Sequence, residues 1–81
     1  MHYAFLLLKL KVGPIDEVLR RLSEIPNIRE THIVLGDYDI ITFIEAETTV
    51  RVGIVIASIS KLVNIRSLHV LNVITKHVRC Y

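Results

Sequence analysis

Apolar and polar positions alternate along residues 3–12, YAFLLLKLKV. Ala4, Leu6, Leu8, Leu10 and Val12 fall on one face of an extended chain; Tyr3, Phe5 and Leu7, followed by Lys9 and Lys11, fall on the other. A strand that is apolar on both sides in its first half needs cover on both faces. Gly13-Pro14 ends it and opens a helix. Pro14 suits the first helical position, and Asp16 and Glu17 favour the positive end of the helix dipole. Ile15, Val18, Leu19, Leu22 and Ile25 are spaced by three and four, the stripe of an amphipathic helix. Glu17 and Arg21 are spaced to pair on its outer side, and Pro26-Asn27 stops it.

The next segment, IRETHIVLG, alternates Ile28, Glu30, His32 and Val34 with Arg29, Thr31, Ile33 and Leu35 and reads as a strand. A turn at 36–39 leads into IITFIEAE, with Ile40, Thr42, Ile44 and Ala46 on one side and Ile41, Phe43, Glu45 and Glu47 on the other, so the two strands form a hairpin. TTVRVGIVIASISKLV is ambiguous. Its β-branched residues favour a strand, whereas its length and a capping Thr48 or Thr49 favour a helix. The expectation is a helix with Val52, Val55, Ile56, Ile59 and Val63 facing inward. Val50 and Ile54 remain on its outer face and point to contact with another subunit. The last strand, NIRSLHVLNVITKHV, is again aliphatic on both faces.

The order strand, helix, strand, strand, helix, strand is the α+β, ferredoxin-like βαββαβ arrangement, an antiparallel sheet with both helices on one face. Residues 1–81 form a single domain. Apolar residues make up 52% of the chain, slightly above the usual share, and a domain this small is marginal without help. Cys80 is the only cysteine, so no disulfide forms within the chain, and it is read as a bystander thiol. His2, His32, His69 and His77 lack the spacing of a metal site, and no metal or cofactor is expected. Oligomerisation is the remaining helper. The bare sheet face is expected to pack on that of a second copy, two sheets about 10 Å apart forming a dimeric α+β barrel.

The net charge of +2 is small, and Arg20-Arg21 is the only adjacent basic pair. Direct nucleic-acid binding, which needs a basic stripe, is not expected, and Tyr3, Phe5, Tyr38 and Phe43 are not spaced as an RNA-stacking platform. The opening MHYAFLLLKLKVG has no basic n-region or cleavage site and is too short to span a bilayer. A soluble, cytoplasmic protein without a membrane partner is the expectation.

The turn Gly36-Asp37-Tyr38-Asp39 carries more chemistry than a turn requires. Its aspartates can bond nearby amides, and Tyr38 can simply pack. The functional alternative is a ligand site: glycine lets backbone approach closely, an aspartate can meet an ammonium, and a tyrosine ring can wall a pocket. Glu45 and Glu47 at a strand end read as solvated carboxylates rather than an acid/base pair, and Arg66 as a surface residue. Ser67 and His69 share a face but lack the acid and oxyanion hole of a nucleophilic site, so no catalytic residue is assigned.

The strand order, the segment RETHIVLGDYDIITFIEAET and the terminal VNIRSLHVLNVI together resemble the effector-binding (RAM) domain of the Lrp/AsnC transcriptional regulators over essentially the whole chain. Gly36-Asp37-Tyr38-Asp39 matches that family's Gly-x-Tyr/Phe-Asp turn. The resemblance implies a homodimer formed through sheet faces and a higher oligomer, an octamer built as a ring of dimers. It also implies a small effector, usually an amino acid, bound between dimers near Gly36, Asp37, Tyr38 and Asp39, with Ser67 and His69 from the last strand. Full-length members carry a helix-turn-helix domain before this one, so the chain is similar to stand-alone members that bind effectors and co-assemble with full-length relatives. Leu68 and Val70 stand where amino-acid binders show alternating threonines, a departure that implies either a more apolar effector or an empty site. Two other readings stay open: a small dimeric α+β-barrel enzyme with a pocket lined by His69, Tyr3 or His32, and an ACT-like amino-acid-binding module whose subunits pair side by side.

Overall fold

Alternation in the strands and three-four spacing in the helices produce six elements: β1 (His2–Leu10), α1 (Ile15–Ser23), β2 (Ile28–Ile33), β3 (Ile40–Ala46), α2 (Thr49–Ser60) and β4 (Ile65–Val73). The computed structural model describes residues 1–74. The expected continuation of the last strand to Val78, together with His77 and Cys80, lies outside them. The strands form one antiparallel sheet in the order β2-β3-β1-β4, the ferredoxin-like α+β fold expected from the sequence.

Both helices cover one side of the sheet. Leu6, Leu8, Ile40 and Ile44 from the central strands meet Val18 and Leu22 of α1 and Val55 and Ile59 of α2 in the main core. Ala4, Ala46 and Val52 extend it towards the start of β1. The α1 stripe is as expected, with Val18 and Leu22 buried and Ile15, Leu19 and Ile25 packed beside them. Its outer side carries an ion-pair lattice: Arg20 reaches Glu17 at 2.7 Å and Glu24 at 2.9 Å, and Arg21 reaches Glu17 at 3.2 Å. The Arg20 and Arg21 hydrogen bonds hold the Glu17 carboxyl below the ordinary carboxylate value. Thr48 caps α2 by accepting a 3.1 Å hydrogen bond from the Arg51 N–H, which resolves the helix–strand ambiguity of this β-branched segment. The core contacts of Val52, Val55 and Ile59 outweigh its strand propensity.

Four local expectations are corrected. Ile28 and Glu30 do not share a face, because a bulge at Arg29 sets Ile28 beside Ile44 on the helix side and Glu30 beside Phe43 on the other. β1 ends at Leu10, leaving Val12 exposed. α2 ends at Ser60, so Val63 is exposed and Leu62 packs against the core in its place. The β2–β3 turn sits one residue earlier than 36–39: the Val34 N–H bonds the Asp39 carbonyl at 3.0 Å, leaving 35–38 as the loop and Asp39 in the closing pair.

The opposite face of the sheet carries no element among the described residues. Its centre is apolar and aromatic. Phe5 is opposite Phe43 on one side and Leu71 on the other, and Leu7 lies between Ile41 and His69. The Phe43 ring is 4.8 Å from that of Phe5 and 5.6 Å from that of Tyr3, within the range of favourable aromatic pairs. Val73 lies beside Tyr3.

Candidate functional site

The 35–38 loop lies at the end of the sheet where β1 leaves and β4 enters. Gly36 has φ +133°, a backbone conformation that side-chain-bearing residues rarely adopt, and open space surrounds the position a Cβ would take. Asp37 is exposed and Tyr38 half-buried. The Asp37 carboxylate makes no hydrogen bond or ion pair among the described residues.

Asp39 differs. Its N–H donates to the Leu8 carbonyl at 2.9 Å, its carbonyl accepts from the Val34 N–H, and its Oδ2 accepts from the Leu10 N–H at 2.8 Å. The β3 ladder has run out at this level, and the carboxylate stands in for the next main-chain acceptor. Asp39 thus ties β1 to both ends of the loop, and one carboxylate oxygen is already engaged.

Ser67 and His69 lie on the uncovered face of β4, Ser67 beside Lys9 and His69 beside Leu7. Ser67 is thus at the same end of the sheet as Asp39, with β1 between them, while His69 is one row further in. Four residues form that row across the sheet: His32, Ile41, Leu7 and His69. His32 is 3.0 Å from Glu30. The six residues expected to form a site therefore divide into the loop group and the β4 group; both border the uncovered face, and β1 separates them.

Leu68 and Val70 require a correction. They pair with Leu8 and Leu6 and pack on the helix-side core, so they cannot set the polarity of a site on the uncovered face. Strand alternation gives that face Ser67, His69 and Leu71 instead. Sequence reading also missed an apolar groove of about 460 Å³ beside the loop, in which Val12, Ile33 and Leu35 stand close to Leu10, Ile15 and Asp39. Leu35, next to a turn glycine, was the available signal. Ser67 and His69 form no hydrogen bond with each other, and no group of three metal-ligating side chains occurs, among the described residues. No helix among them is long and apolar enough to cross a membrane.

Comparison with known proteins agrees with this architecture. The family model described as the Lrp/AsnC ligand binding domain matches residues 3–80. The chain is 28% identical over 74 residues to the HTH-type transcriptional regulator FL11 of Pyrococcus horikoshii, covering 91% of this chain and 49% of that protein. It therefore spans about half the length of that curated relative. Among solved structures, FFRP-DM1 superposes with a TM-score of 0.85 at 29% identity, covering 91% of this chain and 100% of the other. The hypothetical protein PHS023 of Pyrococcus horikoshii superposes with a TM-score of 0.84 at 29% identity, covering 95% and 94%. AsnC of E. coli shares the fold, with a TM-score of 0.83 at 19% identity over 99% of this chain and 55% of that one.

Proposed function

This chain belongs to the Lrp/AsnC ligand-binding domain family, and we propose that it is an effector-binding and oligomerisation module that takes an amino acid or similar small effector at a contact between copies. The observation that carries this reading is the loop itself: Asp37 is exposed and unpaired among the described residues, beside the permissive backbone of Gly36 and the apolar groove of Val12, Ile33 and Leu35.

In this reading the subunits pair through the uncovered sheet face, where Phe5, Phe43, Leu7 and Leu71 need cover. The effector ammonium meets Asp37, and its apolar part enters the groove. Tyr38 supplies a ring and a hydroxyl, and Ser67 and His69 border the site from β4. Asp39 and Gly36 set the shape of the loop. No enzyme chemistry is assigned; the work is linkage. A ligand shared between copies stabilises the assemblies that contain that contact, by its differential affinity for them. Co-assembly with full-length regulators of the family uses the same contacts.

The test is a thermal-shift and light-scattering screen of the purified protein against the twenty amino acids. At least one should raise the melting temperature or change the mass, and Asp37→Asn should abolish that response while leaving the unliganded melting temperature in place. A flat response to every amino acid sinks the amino-acid reading.

A further inference from the structure

The groove beside the 35–38 loop offers one sign of charge. Among the residues that line it, only Lys11 and Asp39 are charged. Asp39 is engaged, its Oδ2 accepting from the Leu10 N–H at 2.8 Å. The Lys11 side chain is exposed and makes no hydrogen bond or ion pair among the described residues. Its backbone is held all the same: the Lys11 N–H donates to the Asn64 carbonyl at 2.7 Å. Two consecutive amides are thus pinned to separate segments where β1 ends, and the Lys11 side chain starts from a fixed point on the groove. The walls are apolar and open to solvent. Val12 and Leu35 are fully exposed, and Ile33 is 60% exposed. Aliphatic side chains gathered at the surface beside an unpaired ammonium supply the two halves of a receptor for an apolar acid.

We infer that the groove recognises its effector by carboxylate and apolar tail, with Lys11 as the specificity-determining cation, so that branched aliphatic monocarboxylates lacking an ammonium are ligands in their own right. This rests on the reading of the loop region as the effector site. A carboxylate on the Lys11 ammonium lies against Val12 and Leu35, where the apolar walls exclude water and strengthen the attraction. The groove, about 460 Å³, has room for a branched chain beyond the carboxylate. The other end of an amino acid fares differently. Asp37 is exposed and is not among the residues lining the groove, so its pairing with an effector ammonium is screened by solvent and contributes little. The carboxylate is therefore the anchored end and the ammonium the dispensable one. An amine without a carboxylate would bring a second cation beside Lys11, and a polar tail would leave its hydrogen-bonding groups unpaired against the aliphatic walls.

Leucine, isocaproate (leucine without its ammonium), isoamylamine (leucine without its carboxylate) and acetate separate the two ends and the tail. Methyl NMR titration of the purified protein reads each one at the groove. Isocaproate should shift the Val12, Ile33 and Leu35 methyl resonances saturably, whereas isoamylamine and acetate at the same concentrations should not. Lys11→Gln should raise the isocaproate dissociation constant about tenfold, the loss of one charge-assisted hydrogen bond. Lys11→Arg should keep most of the affinity, and Lys9→Gln, two residues earlier on β1, should leave it unchanged. Isocaproate binding that survives Lys11→Gln overturns the proposal, and so does acetate binding equal to that of isocaproate, which would mean a carboxylate held without its tail. Binding of leucine and isoamylamine but not isocaproate overturns it too and leaves the amino-acid reading in place, with the ammonium as the anchored end. Isocaproate binding through Lys11 with no response to any amino acid does the reverse: the inference stands and the amino-acid reading fails. Silence towards all four probes overturns the inference, and the amino-acid reading is then judged by its own screen.

Discussion

The Leu10 N–H donates to the Asp39 carboxylate at 2.8 Å, so the second aspartate of the loop acts as the last acceptor of the β3 edge rather than as a free ligand group. A charged acceptor on a partly buried backbone amide is among the stronger hydrogen bonds. Asp39→Ala should therefore cost about 1–3 kcal/mol, read as a lower urea midpoint with an unchanged slope. Asp39→Asn keeps an acceptor and should cost less. Equal losses in the two variants would show that the carboxylate oxygen is not the part that matters.

Gly36 presents the converse case. Its surroundings have room for a methyl group, but its φ of +133° does not suit one. Gly36→Ala should destabilise by about 1–3 kcal/mol through backbone strain alone. A melting temperature unchanged by this substitution would mean that the loop is free to adopt an ordinary conformation.

Thr42 is a buried weakness. It lies on the helix side of β3 between Thr31 and Leu6, and its hydroxyl has no hydrogen-bond partner among the described residues. Valine has nearly the same shape without the polar atom. Thr42→Val should stabilise by about 1 kcal/mol, raising the melting temperature by roughly 4–8 °C for a domain of this size. A lower melting temperature would indicate that the hydroxyl finds a partner in solution.

Phe5 tests the sheet face. It is opposite Phe43, with its ring 4.8 Å from that of Phe43, and is partly exposed. A carboxylate there faces solvent in the monomer but would be buried unpaired against a second sheet, at several kcal/mol. Phe5→Glu should raise the sheet-dimer dissociation constant at least tenfold, or about 1.4 kcal/mol, while far-UV circular dichroism stays native. A dissociation constant equal to that of wild type would remove the face-to-face dimer.

The Glu17 lattice gives a pH dependence of known sign. Hydrogen bonds from Arg20 and Arg21 hold the folded-state value below the ordinary 4.5. Its contribution is therefore complete above 4.5 and lost as the pH falls through the lower folded value. Solvent screens this exposed cluster, so Glu17→Gln should change the neutral-pH melting temperature little. NMR titration should place the Glu17 midpoint below the ordinary 4.5; a midpoint at that value would mean that the lattice does not persist in solution.

Alternation in β1 and β3 and the three-four spacing of α1 determine by themselves which side of each element is apolar, because hydrophobic burial acts on local period before any long-range contact is known. Strand order followed from those elements, and the loop chemistry at Gly36-Asp37-Tyr38-Asp39 was visible as surplus polar groups between two aliphatic runs. Pairing in three dimensions decided the rest. The Arg29 bulge separated Ile28 from Glu30, the β1–β4 register turned Leu68 and Val70 into the core, and the end of the β3 ladder engaged Asp39 while leaving Asp37 free among the described residues. Register and ladder ends depend on which backbone groups from distant segments find partners, and residue type carries no local record of that.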